Sequence, residues 1–145
     1  MPRPQTEPIG LEVTRTAKAL SRAFDDALAG GGGSLPTWLV LVSLVGRAHE
    51  RQRDLAEAVG IEGATLTHHL NRMEASGLVT RRRDPENRRV QQVELTPDGE
   101  ATFRSLLSHA AAFDKQLRNG FTDDELAQLR GFLDRLRVNT QGGSS

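Results

Sequence analysis

LAEAVGIEGATLTHHLNRM, residues 55–73, is the stretch on which the fold turns. Ala56 is small where two helices must cross closely, and Gly60, four residues on, suits the left-handed conformation of a tight turn. Ile61, Leu66, Leu70 and Met73 then recur at a spacing that pins a second helix against the first. The pattern predicts a helix-turn-helix, with helices over 51–59 and 63–76. These are packing requirements, so they speak first to architecture: helix pairs of this kind also occur in domains that touch no nucleic acid.

The outward face says more. With Leu66, Leu70 and Met73 inward, Thr67, His68, Asn71 and Arg72 point outward, and Thr65 lies near the helix start. Hydroxyl, imidazole, amide and guanidinium groups can all reach base edges or phosphates. No acid interrupts this face before Glu74. His69 sits beside the apolar stripe and reads as a partly packed residue.

Downstream, TRRRDPENRRVQQVELT (residues 80–96) holds five arginines between positions 81 and 89. Residues 78–83 and 90–95 read as the arms of a hairpin, because Val93 and Leu95 alternate with Gln92 and Glu94. Asp84-Pro85 fits the start of a type I turn. From Arg72 to Arg89 six arginines face three acids, a local surplus of three in a chain of zero formal net charge. A helix-turn-helix followed directly by a basic hairpin is a winged helix: the helix enters the major groove, and the wing reaches the backbone or the adjacent minor groove. Arginine suits a narrow minor groove, being permanently charged and weakly hydrated.

The flanks are helical. Ile9, Val13, Ala17, Leu20, Phe24 and Leu28 form one apolar stripe, which Gly30 to Gly33 must end. Ser34 caps an almost wholly apolar helix that continues to about Arg47, with Pro36 in its first turn. Thr96-Pro97 opens another helix, with Phe103, Leu106, Ala110, Phe113 and Leu117 on one face. Thr122-Asp123-Asp124-Glu125 is a capping box. Leu126, Leu129, Leu133 and Leu136 follow at heptad-like spacing, able to pack within one chain or between two. The expected fold is therefore mainly α with a small β-hairpin wing. Residues 1–8 and 139–145 read as flexible ends, 9–138 as one domain, and 35–96 as its winged-helix region.

Composition excludes several classes. The 145 residues include no cysteine, which removes disulfides, thiol redox sensing and thiolate-bound zinc. No run approaches a membrane span, and MPRPQTEPIG lacks the apolar core of a signal peptide, so a cytoplasmic location is expected. Seventeen of the nineteen basic residues are arginine, a bias that a GC-rich genome would also produce.

QRDLAEAVGI, then TLTHHLNRMEASGLVTRRRDPENRR, then VELTPDGE stand in the order and spacing of a known family. Over roughly residues 9–138 the chain resembles the MarR family of bacterial transcriptional regulators. The resemblance implies a homodimer whose first and last helices (9–29 and 97–138) interlock, with two winged helices reading palindromic double-stranded DNA. In the family the wing commonly carries Asp-x-Arg, with the arginine in the minor groove. That motif falls on Asn87-Arg88-Arg89, which makes Arg89 the inserted residue and replaces an ionic clamp by at most a neutral hydrogen bond. Arg81, Arg82, Arg83 and Arg88 are the expected backbone contacts.

Relatives commonly release DNA when a small aromatic acid or phenol enters a cleft beside the dimer helices. Phe24, Trp38, His49 and Phe113 are the candidates for such a cleft here. No cofactor is implied. The histidines lack metal spacing, since adjacent His68 and His69 cannot share a helix face. There is no nucleophile elbow and no helical His-Glu-x-x-His, and GGGGS lacks the lysine and preceding strand of a P-loop, so no enzyme is expected. The competing reading is a winged helix serving only as a protein-interaction module, which would show apolar residues where Thr67 to Arg72 stand.

Overall fold

The computed structural model describes residues 7–142. Of the expected flexible ends, residues 1–6 and 143–145 lie outside the described residues, while 139–141 are helical, because the last helix runs through Gln141. The order is α1 (Ile9–Ala29), α2 (Leu35–Leu44), β1 (Glu50–Arg51), α3 (Gln52–Val59), α4 (Gly63–Ala75), β2 (Val79–Arg83), β3 (Gln91–Leu95), α5 (Pro97–Arg118) and α6 (Asp123–Gln141). The chain forms two compact units that divide between Ala110 and Ala111, within α5. Among the described residues no helix is long and apolar enough to cross a membrane.

In the first unit α2 is the hub. Its Trp38, Val40, Leu41 and Leu44 are all buried, with Leu28, Leu55, Leu66, Leu70, Val79, Val93 and Leu106 around them. The Ser34 side chain accepts from the Thr37 N–H and starts the helix as expected. It stops at Leu44 rather than near Arg47, because Gly46 turns the chain with φ 77° and leads into β1. The glycine run before α2 does more than end α1. A Cβ on Gly33 would meet Leu106 at 2.6 Å and one on Gly31 would meet His109 at 2.7 Å, so α5 needs bare backbone there.

The sheet has three strands in the order β1-β3-β2, all antiparallel. Its third member is absent from the sequence reading: two residues pairing Glu50 with Val93 and Arg51 with Gln92 are too short to show alternation. The hairpin register sets Val79 opposite Leu95 and Arg83 opposite Gln91. Thr96 ties the hairpin's end to α5. Its hydroxyl lies 2.6 Å from the Gly77 carbonyl and accepts the Gly99 N–H, while a Cβ on Gly99 would strike the Leu78 carbonyl at 2.2 Å. Those contacts account physically for the Leu-Thr-Pro-Asp-Gly-Glu signature.

In the second unit the Thr122 capping box is complete. The Thr122 N–H donates to the Glu125 carboxylate and the Thr122 hydroxyl accepts the Glu125 N–H; the first bond chiefly lowers the Glu125 pKa. No residue of α6 is buried; Phe132, Val138, Leu129 and Leu133 are exposed.

Candidate nucleic-acid interface

The turn of the helix-turn-helix forms as the spacing requires. Gly60 has φ 78°, and its N–H and that of Ile61 both donate to the Ala56 carbonyl. Leu66, Leu70 and Met73 are buried, which fixes the rotation of α4; truncating such a leucine costs about 2–5 kcal/mol. Thr65, His68, Asn71 and Arg72 are exposed on the other side. Thr67 is half-buried and serves the helix pair itself. Its hydroxyl donates to the Gly63 carbonyl (2.9 Å) and accepts from Gln52 Nε2 (2.8 Å), clasping α3 to α4. The expected packing of His69 is also visible: it is half-buried, with its ring 5.9 Å from that of His68.

The five wing arginines divide by their partners. Arg81 folds back onto α4, with its side chain only 15% exposed. Its Nη2 donates to Asn71 Oδ1 (2.5 Å) and Glu74 Oε1 (3.2 Å), and its backbone N–H donates to Glu74 Oε2 (3.0 Å). The hydrogen bond from the Arg81 side chain holds the Glu74 carboxyl below its ordinary pKa, outweighing a slight desolvation that pushes upward. Arg82 pairs with Glu94 of the neighbouring strand at 2.7 Å. Arg83 donates to the Arg88 carbonyl (2.8 Å) and so braces the loop without neutralising its own charge.

Residues 84–90 form the tip. Asp84 Oδ1 accepts the Glu86 N–H (2.9 Å), and the Asp84 N–H bonds the Val90 carbonyl across the loop (2.9 Å). Asn87 Oδ1 accepts the backbone N–H of Arg89 (3.2 Å). The neutral amide therefore steadies the backbone that carries Arg89 instead of clamping its guanidinium. Arg88 and Arg89 are exposed, and among the described residues no acid forms an ion pair with Arg72, Arg83, Arg88 or Arg89.

One concave surface joins these pieces. A groove of about 840 Å³ runs between the starts of α3 and α4 and the wing, lined by Arg51, Gln52, Arg53, Thr67 and Arg89 among others. Arg51 and Arg53 were not legible as site residues, because only the fold sets them beside Arg89. Their sole sequence signal is basic charge at the start of the first helix of the pair.

Of the aromatic cleft candidates, Phe24, Trp38 and His49 belong to the first unit and Phe113 to the second. The Trp38 ring stacks on Phe103 at 5.2 Å inside the core, against which Phe24 also packs. His49 is exposed on the loop before β1, and Phe113 is buried in the second unit. A different cavity, about 640 Å³, opens in the first unit between the α1–α2 junction, α4 and α5. None of the four lines it; Ser34, Thr37, His69, Arg72 and Thr102 do, together with Asp25.

This geometry has parallels in known proteins. The MarR family pattern matches residues 34–90. The HTH-type transcriptional regulator YdgJ of Bacillus subtilis is 35% identical over 102 residues, covering 70% of this chain; the match spans 62% of YdgJ's own length. The crystal structure of the transcriptional regulator PA3341 is 32% identical with a TM-score of 0.79, covering 92% of this chain and 98% of that one. A mutant MarR from E. coli, complexed with operator DNA, shares the fold at 23% identity and a TM-score of 0.81, over 89% of this chain and 93% of that one. A winged helix-turn-helix between long terminal helices, matched at this identity over nearly the full chain, places the protein in the MarR family.

Proposed function

We propose that this protein is a sequence-specific DNA-binding transcriptional regulator that acts as a repressor and binds a palindromic operator as a homodimer. The observation that carries this reading is the sorting of charge around α4 and the wing. Among the described residues no acid pairs with Arg72, Arg83, Arg88 or Arg89, and Arg89 lines one groove with Thr67 of α4, the helix that exposes Thr65, His68 and Asn71. Guanidinium groups left unpaired suit phosphates and a narrow minor groove, while the α4 groups suit base edges. An interaction module would present large apolar side chains there, and α4 exposes no large apolar residue.

The exposed apolar residues of α6 and of α1 (Ile9, Leu11 and Leu20) support a second copy as their cover. Two-fold symmetry would then set half-sites about one DNA turn, roughly 34–36 Å, apart. A cytoplasmic, non-enzymatic regulator is consistent with these features. The effector, a small aromatic acid or phenol, we place in the cavity beside His69 and Arg72, where a carboxylate would find donors. Occupation of Arg72 there would withdraw it from DNA.

Selection of bound duplexes from random DNA tests the reading, with competition at raised salt as control. Palindromic enrichment with a steep salt dependence is expected. Binding without enrichment of any sequence would overturn specific recognition, and a stable folded monomer in light scattering at micromolar concentration would overturn the dimer.

A further inference from the structure

Asn71 stands at the centre of the exposed face of α4, but its amide is not at liberty to turn. Arg81 Nη2 lies 2.5 Å from Asn71 Oδ1. A guanidinium only donates, so the amide atom facing it must be the carbonyl oxygen. Arg81 is itself fixed at two points by one carboxylate: Glu74 Oε2 takes its backbone N–H, and Glu74 Oε1 takes the same Nη2 that reaches Asn71. Asn71 and Glu74 lie three residues apart on one face of α4, so strand β2 and the helix hold a single network. Its consequence is chemical: a charged donor takes one of the two lone pairs of the carbonyl and weakens it as an acceptor toward DNA, and the two amide N–H groups are what Asn71 has free to offer.

We propose that Arg81 is a positioning residue that biases Asn71 toward reading as a donor, so that the base pair facing it is selected for an exposed acceptor edge. Guanine offers O6 and N7 in the major groove, and thymine offers O4. The usual pairing of asparagine with adenine is bidentate and needs the carbonyl to accept from the N6 amino group. Here Arg81 competes for that oxygen with a full charge and fixes its orientation, which weakens one of the two bonds of the adenine contact. Arg81, which charge alone would assign to a phosphate, instead acts on sequence through its neighbour. This inference rests on the DNA-binding reading above.

The test begins with the wild-type protein and sites selected from random duplex DNA. Asn71→Ala identifies the position that Asn71 reads, as the one whose preference collapses. Wild type should favour guanine or thymine there. Arg81→Met keeps the aliphatic stem and removes the donor, and it should raise the relative preference for adenine at that position by about fivefold or more, the lower end of what one good base contact is worth. Glu74→Gln, which retains the Arg81–Asn71 bond, should leave the preference unchanged even where overall affinity falls. A uniform loss across all sequences in Arg81→Met, with no change in preference, would overturn the proposal and leave Arg81 a structural strut. So would a wild-type preference for adenine that weakens when the adenine is replaced by purine lacking the N6 amino group, a measurement that needs no variant to fold. Failure of wild type to enrich any site would instead bring down the DNA-binding reading itself.

Discussion

The base of the wing and its tip carry the same residue type and treat it in opposite ways. At the base, Arg81 and Arg82 are matched to Glu74 and Glu94 and tie the hairpin to α4 and to β3. At the tip, Arg88 and Arg89 have exposed side chains, and the hydrogen bonds of the loop hold only its backbone. A run that looks uniformly basic in sequence is thus part scaffold and part available charge. The difference teaches that arginine content measures the reach of a DNA-binding wing only after its internal partners are subtracted.

The sharpest way to break the comparison is Arg89→Ala. The side chain is exposed and lines the groove beside Arg51 and Arg53, so the fold should persist while operator affinity falls by about 1–3 kcal/mol, as for a good groove contact. Binding isotherms at fixed salt, with thermal melting as the folding control, check it; unchanged affinity would remove Arg89 from the interface. A smaller effect of opposite sign is expected at the base. Glu94→Gln releases Arg82, whose side chain is 62% exposed, and converts a scaffold arginine into an available one. Non-specific affinity should rise, and the slope of log K against log salt should steepen by about one further phosphate contact. An unchanged slope would mean that Arg82 cannot reach the backbone.

The smallest effect is a pH dependence. The Glu74 pKa is lowered in the folded protein, chiefly by the Arg81 side-chain hydrogen bond. Its contribution to stability is therefore complete above the ordinary value of 4.5 and is lost as pH falls through the lower folded value. With 41% of the Glu74 side chain exposed, solvent screening limits the loss to at most about 1 kcal/mol. Denaturant midpoints followed through the acid range should fall less in Glu74→Gln than in wild type over that window.

Much of this protein was decided locally and could be read from its sequence. Leu66, Leu70 and Met73 fixed the inner face of α4, Gly60 its preceding turn, and Thr122 with Glu125 the start of α6, because helix period and capping depend on residues only three or four apart. The hairpin was likewise legible from alternation and turn residues. Tertiary structure alone decided which arginines are available. Arg81 meets Glu74 across a turn, and Arg82 meets Glu94 only because the register sets β2 and β3 as it does. It also decided the third strand and the glycines that admit Leu106 and His109, which no spacing rule could have shown. Local periodicity is written in neighbouring residues, whereas charge pairing and close approach depend on how distant segments pack, and that packing fixed the amide of Asn71.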